Sequence, residues 1–170
     1  MIIRAERKED YSRITEVTDL AFRQKNEGRL VERLRIDLDF IPELSLVAEI
    51  GNEIIGHILF FPIKIISEDA EVPSLALAPM SVVPEYQRRG IGKQLVTEGL
   101  KRAKSIGYKS VIVLGHSEYY PKFGFEPASK WNIKAPFDVP DKVFFAIELE
   151  EGGLKGVSGA VEYSDEFNDV

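Results

Sequence analysis

The sequence predicts an α/β fold (α+β in some classification schemes), with one mixed central sheet of about six to seven strands flanked by helices. A strand, a helix and a second strand follow one another between residues 72 and 114, in the spacing of a right-handed βαβ unit. Two apolar segments, residues 44–50 and 53–66, are separated only by Gly51-Asn52, which is typical of a tight antiparallel hairpin. Parallel and antiparallel neighbours are therefore both expected.

The chain begins with a predicted strand, residues 1–6, followed by two short amphipathic helices. The first helix is predicted from Glu9 to about Gln24, and the second from about Gly28 to Leu38. In both, apolar side chains recur at the three-to-four-residue spacing that places them on one helix face. These side chains are Ile14, Val17, Leu20 and Ala21 in the first helix, and Leu30, Val31, Leu34 and Leu38 in the second.

Two prolines interrupt the long apolar strands that come next. Pro62 lies within the predicted strand 53–66 and is expected at a bulge or a sheet edge. Pro79 lies within the predicted strand 72–83. Because proline lacks the N–H that a ladder needs, Pro79 is expected at a bend or an unpaired point.

A helix is predicted over residues 88–106 and is expected to end at Gly107. Its inward-facing side chains are expected to be Ile91, Leu95, Leu100, Ala103 and Ile106. The helix leads into a strand at residues 109–114, whose unbroken apolar run is typical of a strand that is buried on both faces.

The rest of the chain contains a predicted short helix, residues 117–122, and a last strand, residues 142–150. Residues 1–150 are therefore predicted to form a single domain, and residues 151–170 an acidic C-terminal tail. Within this tail, residues 157–163 favour an edge strand or a disordered segment equally, because the segment is short and terminal.

Length and composition are those of one globular domain: 170 residues, 44% hydrophobic and 29% charged. There is no cysteine, so disulfides, thiolate metal sites and a cysteine nucleophile are excluded. No apolar segment reaches the roughly 18 residues of a membrane helix, and the first residues lack a hydrophobic signal core. We therefore predict a cytoplasmic location and no membrane partner.

The net charge of −6 is unevenly distributed along the chain. Residues 84–109 hold seven basic residues and two acidic ones, so the remainder is strongly acidic. A nucleic-acid-binding protein needs a broad positive surface, which argues against such a partner. A compact polyphosphate ligand fits the basic segment better. For Lys101, Arg102 and Lys104 the preferred interpretation is a solvated helix face.

The segment from Pro84 to Lys93 predicts a site for a phosphorylated ligand. It opens the amphipathic helix, so unbonded N–H groups and the positive end of the helix dipole meet there. Gly90 and Gly92 leave the backbone uncovered, and the accompanying cations are Arg88, Arg89 and Lys93. A helix start of this kind favours phosphate groups, the alternative being a basic helix start with solvated arginines.

Two familiar phosphate loops are excluded by spacing. A Walker loop requires Gly where Gln87 stands and Ser or Thr where Gln94 stands, which excludes a nucleotide-dependent switch protein. A dinucleotide-binding loop starting at Gly90 requires a third small residue where Leu95 stands. What remains is Gln-x-x-Gly-x-Gly, residues 87–92, directly after a strand.

This pattern resembles the pyrophosphate-binding motif of the GNAT superfamily of N-acetyltransferases, in its bacterial predicted-acetyltransferase branch. Met80-Ser81-Val82, just before the motif, resembles the part of the family's fourth strand that binds the pantetheine arm. Tyr120-Pro121-Lys122-Phe123-Gly124-Phe125 resembles its late Tyr-x-x-x-Gly-Phe element, and the first strand and helix also match. The resemblance covers residues 2 to about 127, in the expected order.

The resemblance implies an acetyl-CoA-dependent N-acetyltransferase that needs no metal and transfers an acetyl group to a primary amine by direct attack in a ternary complex. The gap where the fourth strand splays from the fifth would admit the pantetheine arm. The residues that would bind acetyl-CoA are Met80, Ser81, Val82, Arg88, Arg89, Gly90, Ile91, Gly92 and Lys93. Tyr120 would act as the general acid for the leaving thiolate, the alternative being a half-buried packing tyrosine.

The general base is not assigned by the sequence. No acidic residue lies between Leu75 and Val83, where many family members carry one. His116 follows a buried strand at its C-terminal end and is the candidate base, whereas His57 lies inside a strand and is better interpreted as structural. The other candidates are a water chain and two acids near the second helix, Glu27 and Glu32, which are better interpreted as solvated.

Two classes of function therefore remain. The first is an active acetyltransferase whose acceptor is a small-molecule amine or a protein amine. The second is a non-catalytic acyl-CoA-binding sensor or interaction module with the same fold. Tyr120 favours the first, and the missing acidic residue in the fourth strand keeps the second open. The sequence leaves open whether the protein is a homodimer.

Overall fold

The computed structural model describes the backbone of residues 1–169 and the side chains of residues 1–168; the last residue of the predicted tail lies outside the described residues. The described part has three α-helices, α1 (Tyr11–Phe22), α2 (Asn26–Arg35) and α3 (Ile91–Ser105). Its strands are β1 (Ile2–Ala5), β2 (Ser45–Ile50), β3 (Glu53–Ile66), β4 (Glu71–Val82), β5 (Ser110–Leu114), β6 (Glu126–Pro127), β7 (Ile133–Lys134), β8 (Phe144–Glu148) and β9 (Gly159–Glu162).

The strands form a mixed sheet in the order β1-β2-β3-β4-β5-β8-β6, with β9 beside β3 and β7 beside β9. The pairs β1–β2, β2–β3 and β5–β8 are antiparallel, whereas β4–β5 and β7–β9 are parallel. The described residues thus contain more strands than the six to seven predicted. The additional ones include β6 and β7, which are two residues long and carry no periodicity that a sequence pattern could reveal.

The chain divides into two compact units. The first comprises Met1–Phe61, Ala78–Arg102 and the segment from Asp165 onward, and the second comprises Pro62–Leu77 and Ala103–Ser164. Fully buried apolar side chains in the first unit include Ile14, Val17, Leu34, Leu46 and Ile55. Buried apolar side chains in the second include Leu75, Val111, Ile112, Phe144 and Phe145.

The predicted hairpin between β2 and β3 is confirmed. Gly51 and Asn52 have φ of 55° and 66°, so both turn residues adopt the left-handed conformation that a two-residue hairpin requires. The strands pair antiparallel from Ser45 opposite Leu59 to Ile50 opposite Glu53.

Helix ends differ from the prediction at α1 and α2. The first helix ends at Phe22, because the next residue, Arg23, has a φ of 57° and is left-handed. The second helix ends at Arg35, so the prediction that Leu38 lies on its apolar face is wrong: Leu38 is 102% exposed. Leu20 is also exposed: the buried face of α1 includes Ile14 and Val17 but does not extend to Leu20.

The start of α3 also differs from the prediction. Arg88 and Gly90 have φ of 64° and 82°, so they cannot belong to a right-handed helix, and α3 begins at Ile91 instead of residue 88. The helix ends at Ser105, before Ile106, which is exposed rather than packed inward. Ile91, Leu95 and Ala103 are buried as predicted.

The parallel ladder between β4 and β5 is short. Its partners are Leu75 with Val111 and Ala76 with Ile112, whereas β5 continues beside β8 to Leu114. The ladder ends before Pro79, in agreement with the expected unpaired point. Pro62 lies between the part of β3 that pairs with β2 and the part that pairs with β9.

The predicted short helix after β5 is a single 3₁₀ turn, Tyr120–Phe123, and Ser117 does not cap it. Gly124, with φ of 102°, ends this turn in the left-handed conformation. In the C-terminal segment, β9 forms within the stretch 157–163, but it pairs with both β3 and β7 and is therefore not an edge strand.

Candidate functional site

The loop between β4 and α3 presents free backbone donors at a helix start. Pro84–Tyr86 forms one 3₁₀ turn, and α3 begins after Gly90, whose carbonyl accepts the N–H of Gln94 at 3.1 Å. The N–H groups of Ile91 and of the next two residues have no partner within the helix, because the first turn of a helix leaves its donors free. Gly90 has no side chain to cap them, and a Cβ there would meet nothing within 4 Å. These donors are therefore open to a ligand.

Three exposed cations lie within three residues of this helix start in the sequence, Arg88, Arg89 and Lys93. They are not equivalent. The Arg89 guanidinium lies 5.2 Å from the centroid of the Tyr86 ring, a cation–π contact that orients it. Together with the positive end of the helix dipole, these cations make the loop suited to a phosphate-bearing ligand.

The predicted strand residues Met80, Ser81 and Val82 lie at the end of β4, in the same unit as this loop. The N–H of Val83 donates to the carbonyl of Ile55 at 2.9 Å. Backbone N–H and C=O groups of successive residues point to alternate edges of an extended strand. The N–H and C=O of Val82 therefore face the edge of β4 that points away from β3. The Gln87 carboxamide donates to the Val82 carbonyl at 2.9 Å and ties the loop to this edge.

Ser81 is buried and its side chain is not available to a ligand. Its Oγ lies 3.3 Å from Thr18 Oγ1 of α1, and Thr18 donates to the carbonyl of Ile14. A Cβ added at Gly56 would lie 3.2 Å from the Ser81 carbonyl oxygen, which indicates a close approach of β3 to β4. Any ligand contact of Ser81 would therefore use main-chain atoms.

Tyr120 lies in the second unit and is 8% exposed. Its ring contacts those of Tyr119 and Phe125 edge-on, with centroids 5.1 Å and 5.6 Å away. It also packs so closely on Gly115 that a Cβ there would overlap the ring. Burial raises the pKa of Tyr120 to about 12, with a smaller contribution from Tyr119. The phenol is therefore protonated at neutral pH and can act as a hydrogen-bond donor.

His116 is exposed just after β5, and its carbonyl accepts the N–H of Tyr119 at 3.1 Å and of Tyr120 at 3.4 Å. The two glutamates that are alternative candidates for the general base both accept hydrogen bonds: Glu27 from Gln24, and Glu32 from Thr15. These contacts favour a surface role for both acids.

A buried polar cluster in the first unit was not foreseen from the sequence, although His57 was interpreted as structural. The Glu6 carboxylate accepts from Arg35 Nε at 2.7 Å and from Ser45 Oγ, and Ser45 Oγ lies 2.8 Å from His57 Nε2. Arg35 also lies over the Tyr11 ring, 3.9 Å from its centroid. These residues are far apart in the chain, and no local pattern reveals their contact.

Protonation in this cluster follows from its contacts. Burial alone would raise the pKa of Glu6, but hydrogen bonds from His57, Arg35 and Ser45 outweigh it and lower the pKa to about 2. Burial lowers the pKa of His57. Because the Ser45 hydrogen goes to Glu6, His57 Nε2 is the donor, and its hydrogen is shared between Ser45 Oγ at 2.8 Å and Glu6 Oε1 at 3.4 Å. Nδ1 is left buried without a partner. His57 is therefore neutral and structural.

Across the described residues there is no group of three or more His, Cys, Asp or Glu side chains that could hold a metal ion. Within the same part of the chain, no helix is long and apolar enough to cross a lipid bilayer.

A family model described as an acetyltransferase (GNAT) domain matches residues 2–128. The uncharacterized N-acetyltransferase YhbS of Escherichia coli (strain K12) is 34% identical over 169 residues, which is 99% of this chain and 99% of YhbS. YjhQ, an uncharacterized N-acetyltransferase of the same organism, is 39% identical over 136 residues, which is 79% of this chain and 75% of YjhQ.

Two solved structures are similar over nearly the whole chain. The crystal structure of E. coli YhbS in complex with CoA has a TM-score of 0.91 and 31% identity, and it covers 98% of this chain and 91% of that one. A GNAT family acetyltransferase from Brucella melitensis in complex with acetyl-CoA has a TM-score of 0.79 and 33% identity, with 98% and 97% covered.

The mixed sheet, with a glycine-bearing helix start after β4, has the architecture of an acyltransferase domain. The chain belongs to the GNAT family of N-acetyltransferases.

Proposed function

We propose that this enzyme transfers the acetyl group of acetyl-CoA to a primary amine by direct attack in a ternary complex. The observation that carries the proposal is the start of α3, where a helix begins directly after a left-handed Gly90 and the exposed cations Arg88, Arg89 and Lys93 are close in sequence. The complexes of the two similar enzymes with CoA and acetyl-CoA support the same co-substrate.

In the proposed reaction the amine nitrogen attacks the thioester carbonyl carbon, and the C–S bond then breaks to release the CoA thiolate. The protein mainly positions the two reactants, since the thioester is already activated. The backbone donors in Arg88 to Lys93 would hold the diphosphate, and main-chain groups at Met80, Ser81 and Val82 would bind the pantetheine arm. A strand N–H near the thioester would stabilise the negative tetrahedral intermediate.

The two proton transfers are assigned separately. Tyr120 would supply a hydrogen bond or a proton to the leaving thiolate. The attacking amine must lose a proton, since an alkyl ammonium has a pKa of about 10. His116 and solvent water are the candidates for accepting it. A cytoplasmic location and the choice between a small-molecule and a protein amine remain predictions.

The test combines binding and turnover. Calorimetry should detect CoA binding that weakens as ionic strength rises from low to moderate, because exposed cations contribute to it. Acetyl-CoA should then be consumed with release of free thiol in the presence of at least one member of a panel of small amines, N-terminal peptides and lysine peptides. Binding without turnover on the whole panel would favour a non-catalytic acyl-CoA sensor, and absence of binding would reject the proposal.

A further inference from the structure

The connection between α2 and β2 carries the two most exposed large apolar side chains among the described residues. Ile36 is 84% exposed and Leu38 is 102% exposed. The connection is nevertheless ordered by hydrogen bonds, since the N–H groups of Asp39 and Phe40 both donate to Asp37, at 2.8 Å and 3.1 Å. A hydrogen-bonded turn therefore holds Leu38 away from the core of the first unit.

The surroundings of these two side chains are acidic. Positions 36–43 contain no basic residue, and Glu166 of the C-terminal 3₁₀ turn shares a hydrogen bond with the Asp37 carboxylate. The Asp39 N–H lowers the pKa of Asp37, but burial together with the hydrogen bond and negative charge of Glu166 raises it above its usual value. The nearby Arg33 donates to the main-chain carbonyl of Glu166 at 3.0 Å. We call Ile36, Asp37, Leu38, Asp39 and Glu166 the acidic apolar patch.

Exposed leucine and isoleucine side chains among carboxylates suit a partner that is both apolar and basic. Two copies of the chain cannot pair by placing this patch against itself, because carboxylates would then face carboxylates across the interface. The chain carries a complementary surface in its second unit, where Ile106 is 44% exposed between the exposed residues Lys104 and Lys109. Lys109 has only a long contact with an acid, 3.9 Å from its Nζ to Glu150 Oε1. We call Lys104, Ile106 and Lys109 the basic apolar surface.

We propose that the acidic apolar patch of one copy docks on the basic apolar surface of a second copy of this chain. Leu38 packs against Ile106, and the carboxylates on either side of Leu38 face Lys104 and Lys109. Because each copy keeps one unused patch and one unused surface, the contact is head-to-tail and repeats into a ring or an open chain. Neither surface includes a residue assigned to acetyl-CoA, so the inference does not rest on the proposed function.

Sedimentation velocity of the full-length protein over a range of concentrations, at low and moderate ionic strength, tests the association. We expect complexes that grow with protein concentration and weaken as salt rises, because exposed charges contribute to the contact. Leu38→Asp and Ile106→Asp should each weaken self-association about tenfold or more, since each removes a large apolar side chain from the interface. The matched control is Leu20→Asp, at an exposed leucine of α1, and thermal unfolding shows whether each variant is folded.

A mixture of the two variants tests the pairing of the two surfaces. The Leu38→Asp protein keeps the basic apolar surface and the Ile106→Asp protein keeps the acidic apolar patch, so an equimolar mixture should form a 1:1 complex that does not grow further. A mixture that stays monomeric would overturn the pairing. Wild-type association of folded Leu38→Asp protein, or a wild-type dimer that does not grow with concentration, would also overturn the inference. A wild-type protein that stays monomeric at low salt but binds a basic, apolar peptide through Leu38 would overturn it in favour of a peptide-docking surface.

Discussion

The acidity of Tyr120 determines what its hydroxyl can contribute to the proposed reaction. Burial raises its pKa to about 12, whereas an alkyl thiol has a pKa of about 8.5. Full transfer of the phenolic proton to a thiolate is therefore unfavourable in the ligand-free protein. A hydrogen bond that strengthens as negative charge develops on sulfur is compatible with these values, and it is realised only in the transition state.

Tyr120→Phe should therefore lower kcat by about a hundredfold if the chemical step limits turnover, and this effect should exceed any rise in the KM for acetyl-CoA. Tyr119→Phe is the matched control, because it removes a neighbouring hydroxyl from the same aromatic cluster. Steady-state kinetics of both variants give kcat and KM, and thermal unfolding shows whether each variant is folded. A folded Tyr120→Phe enzyme with the wild-type rate would show that Tyr120 has only a packing role.

At the scale of elements, the function of α3 depends on how the helix begins. The left-handed residues Arg88 and Gly90 turn the chain from β4 into the helix, and Gly90 leaves the first N–H groups uncapped. A Cβ at Gly90 would meet nothing within 4 Å, but in the proposed complex it would lie where a diphosphate approaches those donors. The glycine favours the left-handed conformation, and under the proposed function it also leaves access for the diphosphate.

The pair Gly90→Ala and Gly107→Ala separates these two requirements. Both glycines have positive φ, 82° and 106°, and in both a Cβ would meet nothing within 4 Å, so each variant should lose about 1–2 kcal/mol of stability from backbone strain. Only Gly90→Ala should also weaken CoA binding, which calorimetry measures. Equal CoA affinities in the two folded variants would show that the diphosphate does not bind at the start of α3.

At the scale of the whole molecule, acid stability depends on the buried cluster of Glu6, Arg35, Ser45 and His57. The pKa of Glu6 is lowered from 4.5 to about 2, so its contribution to stability is complete above pH 4.5 and is lost as the pH falls towards 2. The pKa of His57 is also lowered in the folded protein. As the pH falls below about 6.5, the imidazole is therefore protonated in the unfolded chain before it is protonated in the folded one, and the stability begins to fall.

Between pH 4.5 and 2 the free energy of unfolding should fall by about 3 kcal/mol through Glu6 alone. Glu6→Gln should be less stable at pH 7, because buried Arg35 loses its partner, and its stability should vary less over this interval. Urea unfolding at several pH values measures both effects. The control is Glu9→Gln, at an exposed acid nearby; a Glu6→Gln protein with the wild-type pH profile would contradict the assignment.

The sequence by itself determined the features that depend on neighbouring residues. Gly51-Asn52 specified the hairpin because few residues adopt two successive left-handed conformations, and β3 has the predicted bounds, Glu53–Ile66. The spacing of Gln87, Gly90 and Gly92 after a strand identified the family when it was combined with Met80-Ser81-Val82, the Tyr120–Phe125 element and the first strand and helix.

Only the tertiary structure decided which apolar residues are covered and which polar groups meet. Leu38 and Ile106 continue a helical pattern but are exposed, because α2 ends at Arg35 and α3 ends at Ser105, before either residue. The contact of Glu6 with His57 joins the residue that follows β1 to β3, across about fifty residues of chain. The bond of Gln87 to Val82 depends on the turn between them. Such contacts follow from chain folding in space, which no local pattern records.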